Sequence, residues 1–140
     1  MNRVWRLFLP AAVLFLTPMI PAADAPDASA VIGNWEGESK CTVSDSPCHD
    51  EHVVYEIKAD ARPASKLSLD AYKIVSGEKQ FMGTLDCQYS AAEHTLRCIG
   101  RRPDDVWTFT VTDQSMSGTL TIGSEKKLYR KIRVGRISPR

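Results

Sequence analysis

The residues with the widest chemical repertoire are four cysteines, Cys41, Cys48, Cys87 and Cys98, and the run Cys48-His49-Asp50-Glu51-His52. That run holds thiol, imidazole and carboxylate, the donor types of a zinc site. Its spacing does not gather them. His49 and His52 are three residues apart, which is one face of a helix but opposite faces of a strand. We read the run as a disulfide cysteine followed by a solvated turn, with no metal and no cofactor. There is no Gly-x-Ser-x-Gly elbow, no spaced carboxylate pair and no constellation built on a histidine. The chain is therefore not read as an enzyme.

An even number of cysteines in an exported chain suggests disulfides. Cys41 and Cys48 enclose Ser44, Asp45, Ser46 and Pro47, a turn-forming set. Cys87 and Cys98 flank Ser90-Ala91-Ala92-Glu93-His94. A turn centred between Ala92 and Glu93 sets Cys87 directly opposite Cys98. The expected pairs are Cys41 with Cys48 and Cys87 with Cys98, each contributing roughly 2–3 kcal/mol in the chain-entropy model.

Export is itself an expectation from the first 25 residues. Arg3 and Arg6 precede a broken apolar stretch, 7–20, followed by small residues around Ala23, Ala25, Ala28 and Ala30. This is the pattern of a secretory signal peptide cleaved within 23–30. The stretch is too short and too interrupted to span a bilayer as a helix. The protein is placed in the periplasm or outside the cell. Taking out 1–25 removes Arg3, Arg6 and Asp24 and leaves the charges balanced. A nucleic-acid partner would want a basic excess, so none is expected. The remainder is one domain by size, 31–136 with a tail at 137–140, and a monomer.

That domain must be built from strands, because its apolar residues alternate with period two. The expected strands are one opening at Trp35, then 53–59, 66–75, 79–89, 94–100, 106–112, 115–122 and 127–134. Turn residues separate them: Pro63, Ser76-Gly77-Glu78, the 90–94 segment, Arg101-Arg102-Pro103-Asp104-Asp105, Asp113-Gln114 and Gly123-Ser124-Glu125. Phe81, Gly83, Leu85, Cys87 and Tyr89 share a phase, as do Leu128, Arg130, Ile132 and Val134. Centring the sixth turn on Asp113-Gln114 pairs Phe109 with Gly118. Eight strands on short loops make an all-β, eight-stranded, up-and-down antiparallel barrel; the alternative is a β-sandwich.

Two features carry a family resemblance. Gly33-x-Trp35 opens the first strand, and Arg130 lies in the inward phase of the last. On these the chain resembles the calycins, the superfamily of lipocalins and fatty-acid-binding proteins. The resemblance implies a closed barrel in which Arg130 packs across Trp35 as one structural unit. It also implies a small hydrophobic ligand in the lumen. Candidate lining residues are Tyr55, Phe81, Tyr89, Trp107 and Phe109, with Leu85 and Leu120. Inward Gly37, Ser39, Gly83 and Gly118 leave space.

Two other readings concern surfaces. The acidic loop from Asp45 to Glu51 at the open end suits a protein-binding module, such as an inhibitor of a protease or lysozyme. The segment 126–140 holds seven Lys or Arg and no acid. Lys131, Arg133 and Arg136 would form a docking stripe for an anionic membrane surface.

Overall fold

The computed structural model describes residues 27–60 and 66–138. The expected signal segment and the Pro63 turn lie outside these residues. A single 3-10 turn, Ala28–Ala30, precedes eight strands. They are β1 (Gly33–Cys41), β2 (Glu51–Ala59), β3 (Leu67–Val75), β4 (Glu78–Ser90), β5 (Thr95–Ile99), β6 (Val106–Val111), β7 (Ser115–Ile122) and β8 (Lys127–Ile137). Each pairs antiparallel with its sequence neighbours, and β1 pairs with β8, so the sheet closes. The fold is an up-and-down barrel and not a sandwich. Closure removes both sheet edges.

Local turn chemistry sets the registers. Ser76 and Gly77 both have positive φ, 52° and 80°, as a two-residue type I′ hairpin requires. The 90–94 turn gives Cys87 opposite Cys98, and Tyr89 opposite Leu96. The β6–β7 turn gives Phe109 opposite Gly118. Both disulfides form as expected from loop geometry, Cys41–Cys48 and Cys87–Cys98. Such bonds belong to an oxidising environment.

Two bulges alter the inward phase. On β4 the pairing passes from Ala71–Gly83 to Tyr72–Phe81, leaving Met82 as the extra residue. Phe81 therefore shares the outer side with Tyr72, at 5.5 Å between ring centroids. It does not share the inward face of Gly83 and Leu85. On β8 the pairing passes from Leu120–Arg130 to Thr121–Leu128, with Tyr129 extra. Leu128 is turned outward with Thr121, against the phase expected of it.

The last strand is also longer than expected. β8 runs to Ile137, and Trp35 lies opposite Arg136. The Arg136 guanidinium carbon sits 4.2 Å from the Trp35 ring centroid. It donates to the carbonyls of Ile32, Ala30 and Asp113. Trp35 is fully buried and donates its indole N–H to Val31. The arginine across Trp35 is thus Arg136, not Arg130. The reason is direction: β8 is antiparallel to β1, so the start of β1 meets the end of β8. Arg130 lies near the start of β8, opposite Cys41 at the other end of the barrel. The same geometry corrects the basic stripe. Arg136 is folded against the closed end, and only Lys131 and Arg133 of the three project outward.

On the outer face of β2–β4, ion pairs link Lys79 to Glu56, and Lys58 to Asp70 at 3.1 Å. The Thr84 hydroxyl and then Lys58 hold the Asp70 carboxyl below its ordinary value. The Lys79 hydrogen bond does the same for Glu56. A carboxyl with a depressed folded-state pKa stabilises the fold above its unfolded value and loses that as pH falls through the folded one. Stability should therefore decline below the ordinary values of 4.5 for Glu56 and 3.8 for Asp70. Denaturant titrations from neutral pH to about pH 3 should show a shallower acid limb in Asp70→Asn. The difference should be up to about 1 kcal/mol, since both pairs reach solvent. An unchanged acid limb would assign the decline to other groups.

Candidate binding site

The two ends of the barrel differ because different residues close them. At one end the 3-10 turn packs down, and Val31 and Trp35 are fully buried under Arg136. Tyr89 sits at this end, beside Ala30, His94 and Val111. It does not reach the open lumen. Midway, Phe109 is completely buried and meets Tyr55 edge-on, with ring centroids 6.0 Å apart and planes at 65°. Gly118 lies across from Phe109. A Cβ there would stand 2.7 Å from Phe109 Cδ1 and 2.2 Å from the Thr108 carbonyl oxygen. Phe109 is packed core and forms the floor rather than the wall of any cavity.

Above that floor the barrel opens into a cavity of about 580 Å³. Its apolar wall is made by Tyr55, Ala71, Leu85, Trp107 and Leu120. Gly100 allows this wall to pack closely, since a Cβ there would touch the Trp107 ring at 3.1 Å and Leu85 at 3.4 Å. Phe81 and Met82 stand at the rim, 61% and 43% exposed, where the β4 bulge delivers them. Of the five aromatic lining candidates, Tyr55 and Trp107 form the wall and Phe81 the rim. Phe109 lies beneath, and Tyr89 at the far end.

One side of the cavity is polar. Arg130 extends inward from β8 and donates through Nη1 to the Ser39 carbonyl and hydroxyl at 3.3 Å each, and to the His49 carbonyl at 3.0 Å. Glu51 Oε2 lies 3.4 Å from the same nitrogen. An inward arginine requires such partners, because a buried unpaired charge is costly. Burial pushes the Tyr55 phenol far above its ordinary pKa; Arg130 opposes this and Glu51 adds to it. Tyr55 therefore stays neutral and acts as a hydroxyl. Arg130, which the sequence suggests as a structural partner of Trp35, is instead a cavity residue, as are Ser39 and Glu51. The missed signal was strand order: an inward residue near the start of the last strand must lie at the end where the first strand finishes.

The loop over this polar side is clamped. Beyond the Cys41–Cys48 bond, Asp50 accepts from the Cys41 amide at 2.8 Å, and Thr42 Oγ1 donates to the Leu128 carbonyl at 2.9 Å. Ser46 and Tyr129 share a hydroxyl contact at 3.4 Å. The donors of the 48–52 run diverge. Cys48 is oxidised, and His52 turns outward to Glu36 Oε1 at 2.6 Å. Among the described residues, no His, Cys, Asp and Glu side chains converge as a metal centre. Set beside known proteins, the chain matches no family and no curated sequence.

Proposed function

We propose that the chain is an exported, calycin-like binding protein that takes a small ligand with an apolar body and one polar end. The single observation that carries this reading is the open-ended cavity, apolar on the side of Trp107, Leu85 and Leu120 and polar at Arg130, Glu51, Ser39 and Tyr55. Small-molecule sites are concave, mostly apolar and fitted with a few fixed polar groups. A packed-solid barrel would have no use for an inward Arg–Glu pair, whose desolvation must be offset by hydrogen bonds. The Tyr55 hydroxyl, which makes no hydrogen bond among the described residues, supplies a further contact for a ligand's polar end. The Gly33-x-Trp35 opening with Arg136 over the indole supports the calycin-like assignment. The Arg3 and Arg6 n-region and the two disulfides support export to the periplasm or beyond.

A second reading, a protein-binding module acting through the open end, is favoured by the exposed Phe81 and Met82 at the rim of the cavity. The two separate by fluorescence. Trp35 is sealed under Arg136, whereas Trp107 faces the cavity. Titration with the apolar probe N-phenyl-1-naphthylamine should be saturable and should change tryptophan emission, with most of the change lost in Trp107→Phe. Ala71→Phe, which fills the cavity, should weaken the probe about tenfold, the factor for about 1.4 kcal/mol. Non-saturable probe uptake that is indifferent to Ala71→Phe would discard the ligand reading.

A further inference from the structure

The outer surface of the barrel carries its charge unevenly, in a way the near-neutral composition hides. Register places Arg97, Thr108, Thr119, Lys131 and Lys40 in one row across β5, β6, β7, β8 and β1. A second row beside it runs Thr95, Thr110, Ser117, Arg133 and Glu38. With strands about 4.8 Å apart, the first row is about 19 Å long. The one acid in the two rows, Glu38, pairs with Lys40 at 3.3 Å. Arg97, Lys131 and Arg133 have no ion-pair partner among the described residues. On the opposite side, by contrast, Glu56 and Asp70 are matched by Lys79 and Lys58.

The basic side is also grooved. A depression of about 650 Å³ lies over β6, β7, β8 and β1. Short hydroxyl side chains, Thr108, Thr110, Ser117 and Thr119, form its floor, and the long Lys131 and Arg133, with Lys40 and its ion-pair partner Glu38, form its wall. Short residues flanked by long ones make the concavity.

We infer that this groove binds a linear anionic polysaccharide. Its acidic groups would lie along Lys131 and Arg133 in the groove and Arg97 beyond its β6 side, with Lys40 shared with Glu38, and its hydroxyls would hydrogen-bond to the threonine and serine floor. The alternatives match the groove less well. A bilayer surface is flat and does not enter a groove, and basic residues that dock on it are held more firmly when apolar side chains enter it. The large exposed apolar residues Ile32, Val75, Phe81, Met82 and Leu128 lie outside the groove. An acidic peptide adding as a strand needs a free sheet edge, and closure leaves none. Single-stranded nucleic acid wants aromatic stacking platforms, and the groove lining contains no aromatic residue. The inference stands apart from the cavity reading, because none of its residues lines the cavity.

The test is calorimetric titration of the disulfide-bonded protein with a polyuronate hexasaccharide, a neutral hexasaccharide and phosphatidylglycerol vesicles, each at low and moderate salt. The polyuronate should bind, weaken with salt and outcompete the neutral sugar. Lys131→Gln/Arg133→Gln should lower its affinity about tenfold, the loss of two exposed charge contacts. Thr108→Val/Thr119→Val, which leaves charge unchanged, should lower it about threefold at both salt concentrations. Lys58→Gln/Lys79→Gln, on the opposite side, should leave it unaltered. Unchanged thermal midpoints would establish that the groove variants are folded. Vesicle binding without polyuronate binding, or full affinity in the threonine variant, would overturn the inference, the latter by leaving only diffuse charge attraction.

Discussion

Replacing Trp35 with Ala should destabilise the protein by about 3–5 kcal/mol, the range for emptying the site of a fully buried aromatic side chain. The indole is completely buried, and its N–H holds the Val31 carbonyl at 2.9 Å. Its loss opens a void and releases the turn that seals the closed end. Arg136→Ala should cost about 1–3 kcal/mol, because the carbonyls of Ala30, Ile32 and Asp113 lose their donor. The two should be coupled. The guanidinium carbon lies over the ring, 4.2 Å from its centroid, so the double variant should lose less than the two single losses combined, by about 0.5–3 kcal/mol. Arg130 provides the control. It sits at the other end of the barrel among Ser39, His49 and Glu51. Arg130→Ala with Trp35→Ala should be additive within about 0.5 kcal/mol. Equilibrium urea unfolding of the two cycles is the measurement. Additivity of Trp35 with Arg136, or coupling with Arg130, would reverse the assignment of the closing arginine.

Gly118→Ala should be as damaging, for a different reason. The added methyl would stand 2.2 Å from the Thr108 carbonyl oxygen and 2.9 Å from Phe109 Cα. Both are backbone atoms of the paired strand, so no rotamer change relieves the clash. β6 and β7 must move apart, and the cost should reach or exceed the upper end of ordinary overpacking, about 3 kcal/mol. Truncating Phe109 in the same chain should not restore stability, since the carbonyl contact remains. Gly135→Ala is the matched control: its methyl would meet only the Gln114 carbonyl, at 3.7 Å. It should change stability by no more than about 0.5 kcal/mol. Comparison of urea midpoints decides the matter. A mild Gly118→Ala would mean that this strand pair yields more easily than a closed sheet should.

The sequence by itself determined the strands, their order and the registers of two hairpins, β4–β5 and β6–β7. These are local properties: period-two alternation, positive-φ turn residues such as Ser76-Gly77, and cysteines equidistant from a turn. Hence the Cys87–Cys98 and Phe109–Gly118 pairings follow from counting outward from each turn, and Cys41–Cys48 from the short turn-forming loop that it closes. Trp35 as a buried anchor was equally legible, because the charged alternate face of β1 has to meet water.

Only the tertiary structure decided what lies next to what across the barrel. The partner of Trp35 depends on where β8 ends and on antiparallel direction, which no local pattern states. Ending that strand at Val134 hides Arg136 and leaves Arg130 as the one inward arginine in view. The bulges at Met82 and Tyr129 are a further case. One extra residue reverses the phase of everything beyond it, so Phe81 and Leu128 face outward although their spacing places them inward. The cavity is a difference between side-chain volume and the space that closure encloses. The aromatic candidates alone could not show that Phe109 fills the floor while Tyr55 and Trp107 line open space. The charged groove is the last instance: Arg97, Lys40 and Lys131 are far apart in the chain, and only the cross-strand registers set them in one row.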